Sequence, residues 1–141
     1  MNVLIDTCVI SELIRPKPSP RVMTWLDGIP EERIHLSVIT LGELRKGILR
    51  LDDAKKARRL QAWLDNDVRR RFQGRLLDVD ADVALAWGRI CAEAERGGYP
   101  RPVMGGLLAA TALVHGLTLV TRNTSDFSHT RVEVFNPWET P

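Results

Sequence analysis

Acidic residues in this chain stand where apolar runs end. Asp6 directly follows Val3-Leu4-Ile5, Glu43 follows Val38-Ile39-Thr40-Leu41-Gly42, and Asp126 follows Leu117-Thr118-Leu119-Val120-Thr121. If these runs lead into the carboxyl edge of an open α/β sheet, the acids border the crevice where such sheets bind ligands. Carboxylates gathered there from distant segments would offer hard oxygen ligands to a metal ion. The hydroxyls of Thr7 and Thr121 flank the same positions and could orient ligating carboxylates or a bound phosphate.

Residues 2–6 read as a short buried strand, and 33–40 as a second, with Ile34, Leu36 and Val38 alternating against His35 and Ser37. Between them, 20–27 is expected to be helical, because Ser19-Pro20 places a capping hydroxyl before a proline at the first helical position. Apolar positions at helical spacing predict helices over 41–51 and 53–72. A strand over 76–79 follows, then an amphipathic helix capped by Asp80 and ended by Gly97-Gly98. A loop over 99–102, a small-residue helix over 107–115, and strands over 117–121 and 132–135 complete the pattern. Strands alternating with helices in this way imply a parallel sheet covered on both faces.

The 141 residues suit a single domain able to bury roughly two-thirds of its unfolded surface. At 44% hydrophobic and 27% charged, the composition is that of an ordinary globular protein, neither disordered nor membrane-embedded. No membrane partner is expected, since no apolar stretch could span a bilayer and no secretory leader is evident; cytoplasm is the default. A formal net charge of +2 is too small to argue for nucleic-acid binding by itself. Lys55, Lys56, Arg58, Arg59, Arg69, Arg70, Arg71 and Arg75 do cluster, either as a solvated helix face or as a patch that neutralises phosphates. Cys8 and Cys91 lack metal-ligand spacing and read as reduced thiols. His35, His115 and His129 share no motif and receive no role; Tyr99 could stack on a base.

The segments Leu4-Ile5-Asp6-Thr7-Cys8-Val9-Ile10-Ser11-Glu12, Glu43-Leu44, Gly106-Leu107-Leu108-Ala109-Ala110-Thr111-Ala112, Thr121-Arg122-Asn123-Thr124-Ser125-Asp126-Phe127 and Val134-Phe135-Asn136-Pro137-Trp138 occur in an order and spacing that resembles a PIN domain of the VapC or FitB type. The resemblance implies a three-layer α/β/α fold with a central parallel sheet, often dimeric, whose strand ends hold acids around Mg²⁺ or Mn²⁺. It also implies endonuclease action on RNA. Such an ion can activate a water and stabilise charge at phosphorus, which fits the acids independently.

Carried over residue by residue, Asp6 matches the first acid of that family and Glu43 the second. The third position is held here by Gly105, which has no side chain, so a looser metal site and impaired catalysis are expected. The fourth acid corresponds to Asn123 or to Asp126. Asp126 has the charge and is favoured, as a ligand direct or through water, whereas Asn123 can offer only a neutral carbonyl, as a weak ligand or an orienting group. Cys8 stands where the family commonly has Asn, and a thiol is a poor hydrogen-bonding substitute. Glu12, on the helix after the first motif, could equally be a surface acid.

The leading expectation is therefore an endoribonuclease toxin of a type II toxin–antitoxin module, weakened by Gly105. Its implied partners are an RNA substrate, a second copy of the chain, and a small antitoxin whose N-terminal part binds operator DNA and whose tail covers the acidic pocket. The alternative is a catalytically silent binding module that holds the antitoxin and supports operator binding. Only the nuclease should lose its function with chelator or with Asp6→Ala.

Overall fold

The computed structural model describes residues 1–99 and 102–139. At its centre is β1 (Val3–Ile5), whose three side chains are wholly buried. A strand apolar on both faces suits the middle of a parallel sheet. Its neighbours are β2 (Ile34–Ser37) and β4 (Thr118–Val120), and the outer strands are β3 (Leu76–Leu77) and β5 (Val134–Phe135). The order β3-β2-β1-β4-β5 is parallel throughout. Val3 pairs with both Ile34 and Thr118, so the chain leaves β1 toward one edge and later returns to its other side.

Alternation along β1 divides the core. Val3 and Ile5 join the layer of α1 (Thr7–Glu12), α2 (Pro20–Asp27), α3 (Val38–Leu49) and α4 (Ala54–Ala62), while Leu4 joins that of α6 (Ala81–Arg96) and α7 (Val103–His115). The architecture is thus the three-layer α/β/α expected, with helices covering both faces. No helix among the described residues is long and apolar enough to cross a membrane.

Several boundaries differ from the sequence reading. The second strand ends at Ser37 rather than 40, because the Ser37 hydroxyl accepts the Ile39 N–H at 3.0 Å and caps α3 there. Val38 and Ile39 suit strand or helix alike, so their pattern alone did not mark the switch. The helix expected over 53–72 starts on its Asp53 cap but passes through a π-helical stretch, Trp63–Val68, before α5 (Arg69–Arg71). Helix α7 begins at Val103, not 107, which places Gly105 inside its first turn. It ends where Gly116 adopts φ 66°, a left-handed cap that glycine takes without strain. The loop expected over 99–102 falls partly on residues 100 and 101, which lie outside the described residues.

Candidate active site

Asp6 sits immediately past β1, its N–H donating to Val120 O at 2.9 Å and so continuing the β1–β4 ladder by one residue. Its carboxylate does two local jobs. Oδ1 accepts the Thr7 N–H at 2.7 Å, capping α1, and Oδ2 accepts the Thr121 hydroxyl at 2.8 Å from beyond the end of β4. Glu43 reaches the same region from the second turn of α3, where the Thr7 hydroxyl donates to its Oε1 at 2.6 Å. The fully buried Thr40 lies 3.4 Å from the same Thr7 oxygen. Each of the two acids therefore carries a threonine hydroxyl supplied by a different segment of the chain.

Asp6, Glu43, Gly105 and Asp126 line one cavity of about 200 Å³, together with Met104 and Phe127. Asp126 belongs to a short 3₁₀ turn, Thr124–Phe127, anchored by buried Phe127, and its exposed carboxylate makes no hydrogen bond among the described residues. Asn123 precedes that turn, with an exposed side chain that does not line the cavity; its backbone N–H donates to the Thr121 hydroxyl at 3.1 Å. The open wall belongs to Gly105. A Cβ there would lie 4.0 Å from Phe127, ordinary contact distance, whereas one on adjacent Gly106 would come within 3.0 Å of Trp87. A side chain at 106 would thus press on the Trp87 ring, and one at 105 would not.

A PIN domain model matches residues 3–133. The chain belongs to the PIN domain family. The toxin FitB of Neisseria gonorrhoeae is 42% identical over 136 residues, covering 96% of this chain and 98% of that protein. A VapC ribonuclease of Sinorhizobium fredii is 35% identical over 137 residues, covering 97% and 98%. The structure of FitAB bound to a DNA fragment includes a chain that superposes with a TM-score of 0.91 at 39% identity, over 99% of this chain and 97% of its own.

Within this PIN domain the donor set is sparse for a divalent ion. Among the described residues no three His, Cys, Asp or Glu side chains are grouped closely enough to hold a metal ion between them. Asp6 and Glu43 bordering one small cavity suit instead the binding mode of Mg²⁺, which accepts one or two carboxylates and keeps several waters. The residues fit a loosely held hydrated ion rather than an all-protein cage.

Cys8 borders the same network: its Sγ lies 3.9 Å from Asp6 Oδ2 and 3.8 Å from the Thr121 hydroxyl, and accepts the Arg122 N–H at 3.5 Å. Burial pushes its thiol above the ordinary range, the nearby Asp6 charge adds to this, and the Arg122 contact partly offsets it. Glu12 proves to be a buried structural acid of the PIN domain, 3% exposed. It accepts the Trp138 indole N–H at 3.2 Å and the Ser19 N–H at 3.3 Å, with Arg15 at 3.4 Å. Tyr99 stacks on His129 with ring centroids 3.6 Å apart, so one ring face is already covered.

Proposed function

We propose that this chain is the RNA-cleaving toxin of a toxin–antitoxin pair, with its activity lowered by Gly105. The observation that carries the reading is the position of Gly105 in the wall of the cavity bordered by Asp6, Glu43 and Asp126. A Cβ there meets only Phe127, at 4.0 Å, so the backbone leaves room for a side chain to begin, and the absence of one accords with the lack of a three-acid cluster among the described residues. The names of the relatives support the class: FitB is a toxin, and the protein from Sinorhizobium fredii is a ribonuclease.

In this reading Asp6 and Glu43 would hold a hydrated Mg²⁺ or Mn²⁺, with Asp126 adding negative charge at the rim and Asn123 orienting the loop. When bound, the ion would lower the pKa of a water and offset charge at phosphorus. The residues of the chain prepare for this. Thr121 and Thr7 fix the two carboxylates, leaving Asp6 Oδ1 engaged with the α1 cap, and hydrogen bonds of this sort hold ligands ready for an ion. The deciding experiment compares cleavage of total RNA by this chain and by Gly105→Asp in Mg²⁺ and Mn²⁺, with chelator as blank. Stronger chelator-sensitive cleavage by the Asp variant is expected. Absence of cleavage by both would remove the nuclease reading.

A second reading, a silent module that binds antitoxin and through it operator DNA, is favoured by Gly105 itself and by the FitAB complex having been solved on DNA. It would be selected if chelator and Asp6→Ala left antitoxin binding intact while RNA stayed uncut under all conditions. We further propose that the chain is one cytoplasmic domain acting as a homodimer. A hollow of about 400 Å³ whose apolar side chains include exposed Leu85, Leu113 and Val114 supports self-association.

A further inference from the structure

We propose that one face of the helical rod from α4 through the π-helical stretch to α5 is the track along which a single RNA strand approaches the acidic cavity. The inference rests on the ribonuclease reading and adds to it where the substrate lies. Of the eight cations clustered in the sequence, two are occupied: Arg71 and Arg75 both engage Glu31, at 2.7 and 3.2 Å. Lys55, Lys56, Arg58, Arg59, Arg69 and Arg70 make no ion pair among the described residues.

Four of these six line a series of hollows that begins at the acids. The acidic cavity and a hollow of about 320 Å³ share Glu43, and Lys56 lines the latter. That hollow shares Leu60 and Trp63 with the next, of about 450 Å³, which Arg59 borders. Asn66 joins this to a third hollow, also about 450 Å³, bordered by Arg69 and Arg70. Lys56, Leu60 and Trp63 line the first of these hollows, Leu60, Trp63 and Asn66 the second, and Asn66 and Arg70 the third, so the shared linings join them along one side of the rod.

The chemistry selects a polyanion carrying flat rings. Of the carboxylates lining the three hollows, Glu43 accepts the Thr7 hydroxyl and Asp65 is paired with Arg45 at 3.1 Å, leaving Asp67 as the one with neither a side-chain hydrogen bond nor an ion pair among the described residues. Trp63, half-buried, offers a stacking surface to a base, and stacking platforms flanked by cations are how single strands are held without sequence reading.

The test is fluorescence anisotropy of a labelled single-stranded RNA in EDTA, where no cleavage occurs, across a salt series. The chain is compared with the triple variant Arg59→Ala, Arg69→Ala, Arg70→Ala, and with a control removing Lys17, Arg33 and Arg96, exposed cations that line none of these hollows and make no ion pair among the described residues. With a slope of about 0.7 per phosphate contact on single strands, the triple variant should flatten log K against log salt by about 2, and the control should not. Equal flattening by both, or by neither, overturns the track while leaving the nuclease reading intact. No salt-dependent RNA binding by the parent chain overturns both. Loss of antitoxin binding with RNA binding unchanged in the triple variant would make this face a protein interface and overturn the proposal.

Discussion

The Thr121 hydroxyl donates to Asp6 Oδ2 at 2.8 Å across 115 residues of sequence, tying the end of β4 to the end of β1. Thr121 is fully buried, so its hydroxyl has no solvent substitute for this acceptor, although the Asp6 carboxylate itself borders the cavity. Thr121→Val removes the donor at nearly constant volume and leaves Oδ2 with the Cys8 thiol at 3.9 Å and the cavity beside it. A loss of about 1.5–3 kcal/mol in chemical denaturation is expected, with much of it recovered in Thr121→Ser. An unchanged midpoint for the Val variant would show the hydroxyl to be idle.

The two adjacent glycines of α7 should respond in opposite directions. Gly106→Ala forces a methyl to 3.0 Å from the Trp87 ring and should cost about 1–3 kcal/mol, read as a lowered Tm. Gly105→Ala meets no such barrier and should gain about 0.5–1 kcal/mol from helix propensity. Equal effects from the pair would contradict the packing described.

Glu31 supplies a pH dependence. The hydrogen bond from Arg71, opposed by some desolvation and aided by the charges of Arg71 and Arg75, holds its carboxyl below the usual value of 4.5. A carboxylate lowered in the folded state contributes stability that is fully present above its unfolded pKa and is lost as pH falls through the folded one. Because Glu31 is about half exposed, the contribution is about 1 kcal/mol or less. Melting curves of the parent and Glu31→Gln should differ at neutral pH and converge in acid; parallel curves at every pH would rule the ion pair out as a source of stability.

Glu12→Ala leaves the Trp138 indole N–H and the Ser19 N–H without their acceptor. A penalty of about 1–3 kcal/mol is expected, accompanied by a change in tryptophan emission as the final segment loosens. Glu12→Gln keeps one acceptor and should fall between. If the Ala variant keeps the parent emission and Tm, the clasp contributes nothing.

Self-association through the apolar hollow of α6 and α7 is checked by sedimentation velocity. Leu85→Glu with Val114→Glu should convert a dimer to a monomer without lowering helix content, since both side chains are exposed in the single chain. A parent chain that already sediments as a monomer would dispose of the dimer.

Much of this was legible in the residues because local signals agreed with the fold. Val3-Leu4-Ile5 is apolar on both faces and so reads as a central strand, while Asp53 and Asp80 mark helix starts by caps that lie within three residues of their partners. Asp6, Glu43 and Asp126 could be singled out because each follows an apolar run, and the structure brings all three to one cavity, although Glu43 lies in the second turn of α3 rather than at a strand end. What could not be read depends on distant partners. Nothing near Glu12 announces burial, since its indole partner is 126 residues away, and the Glu31 pair spans 40 and 44 residues. The start of α7 was missed because glycines at 105 and 106 weaken the helical signal where the helix begins.

The position of β1 between β2 and β4 also dictates when the molecule can become itself during synthesis. Asp6 emerges from the ribosome among the first residues, yet the strand that walls its other side and the hydroxyl that holds its carboxylate arrive only with Thr118–Val120 and Thr121. At about 5–20 residues per second the interval is on the order of ten seconds, during which the nascent chain has no completed acidic cavity. Under the nuclease reading proposed above, this topology would act as a delay, with no cleavage until nearly the whole polypeptide is made.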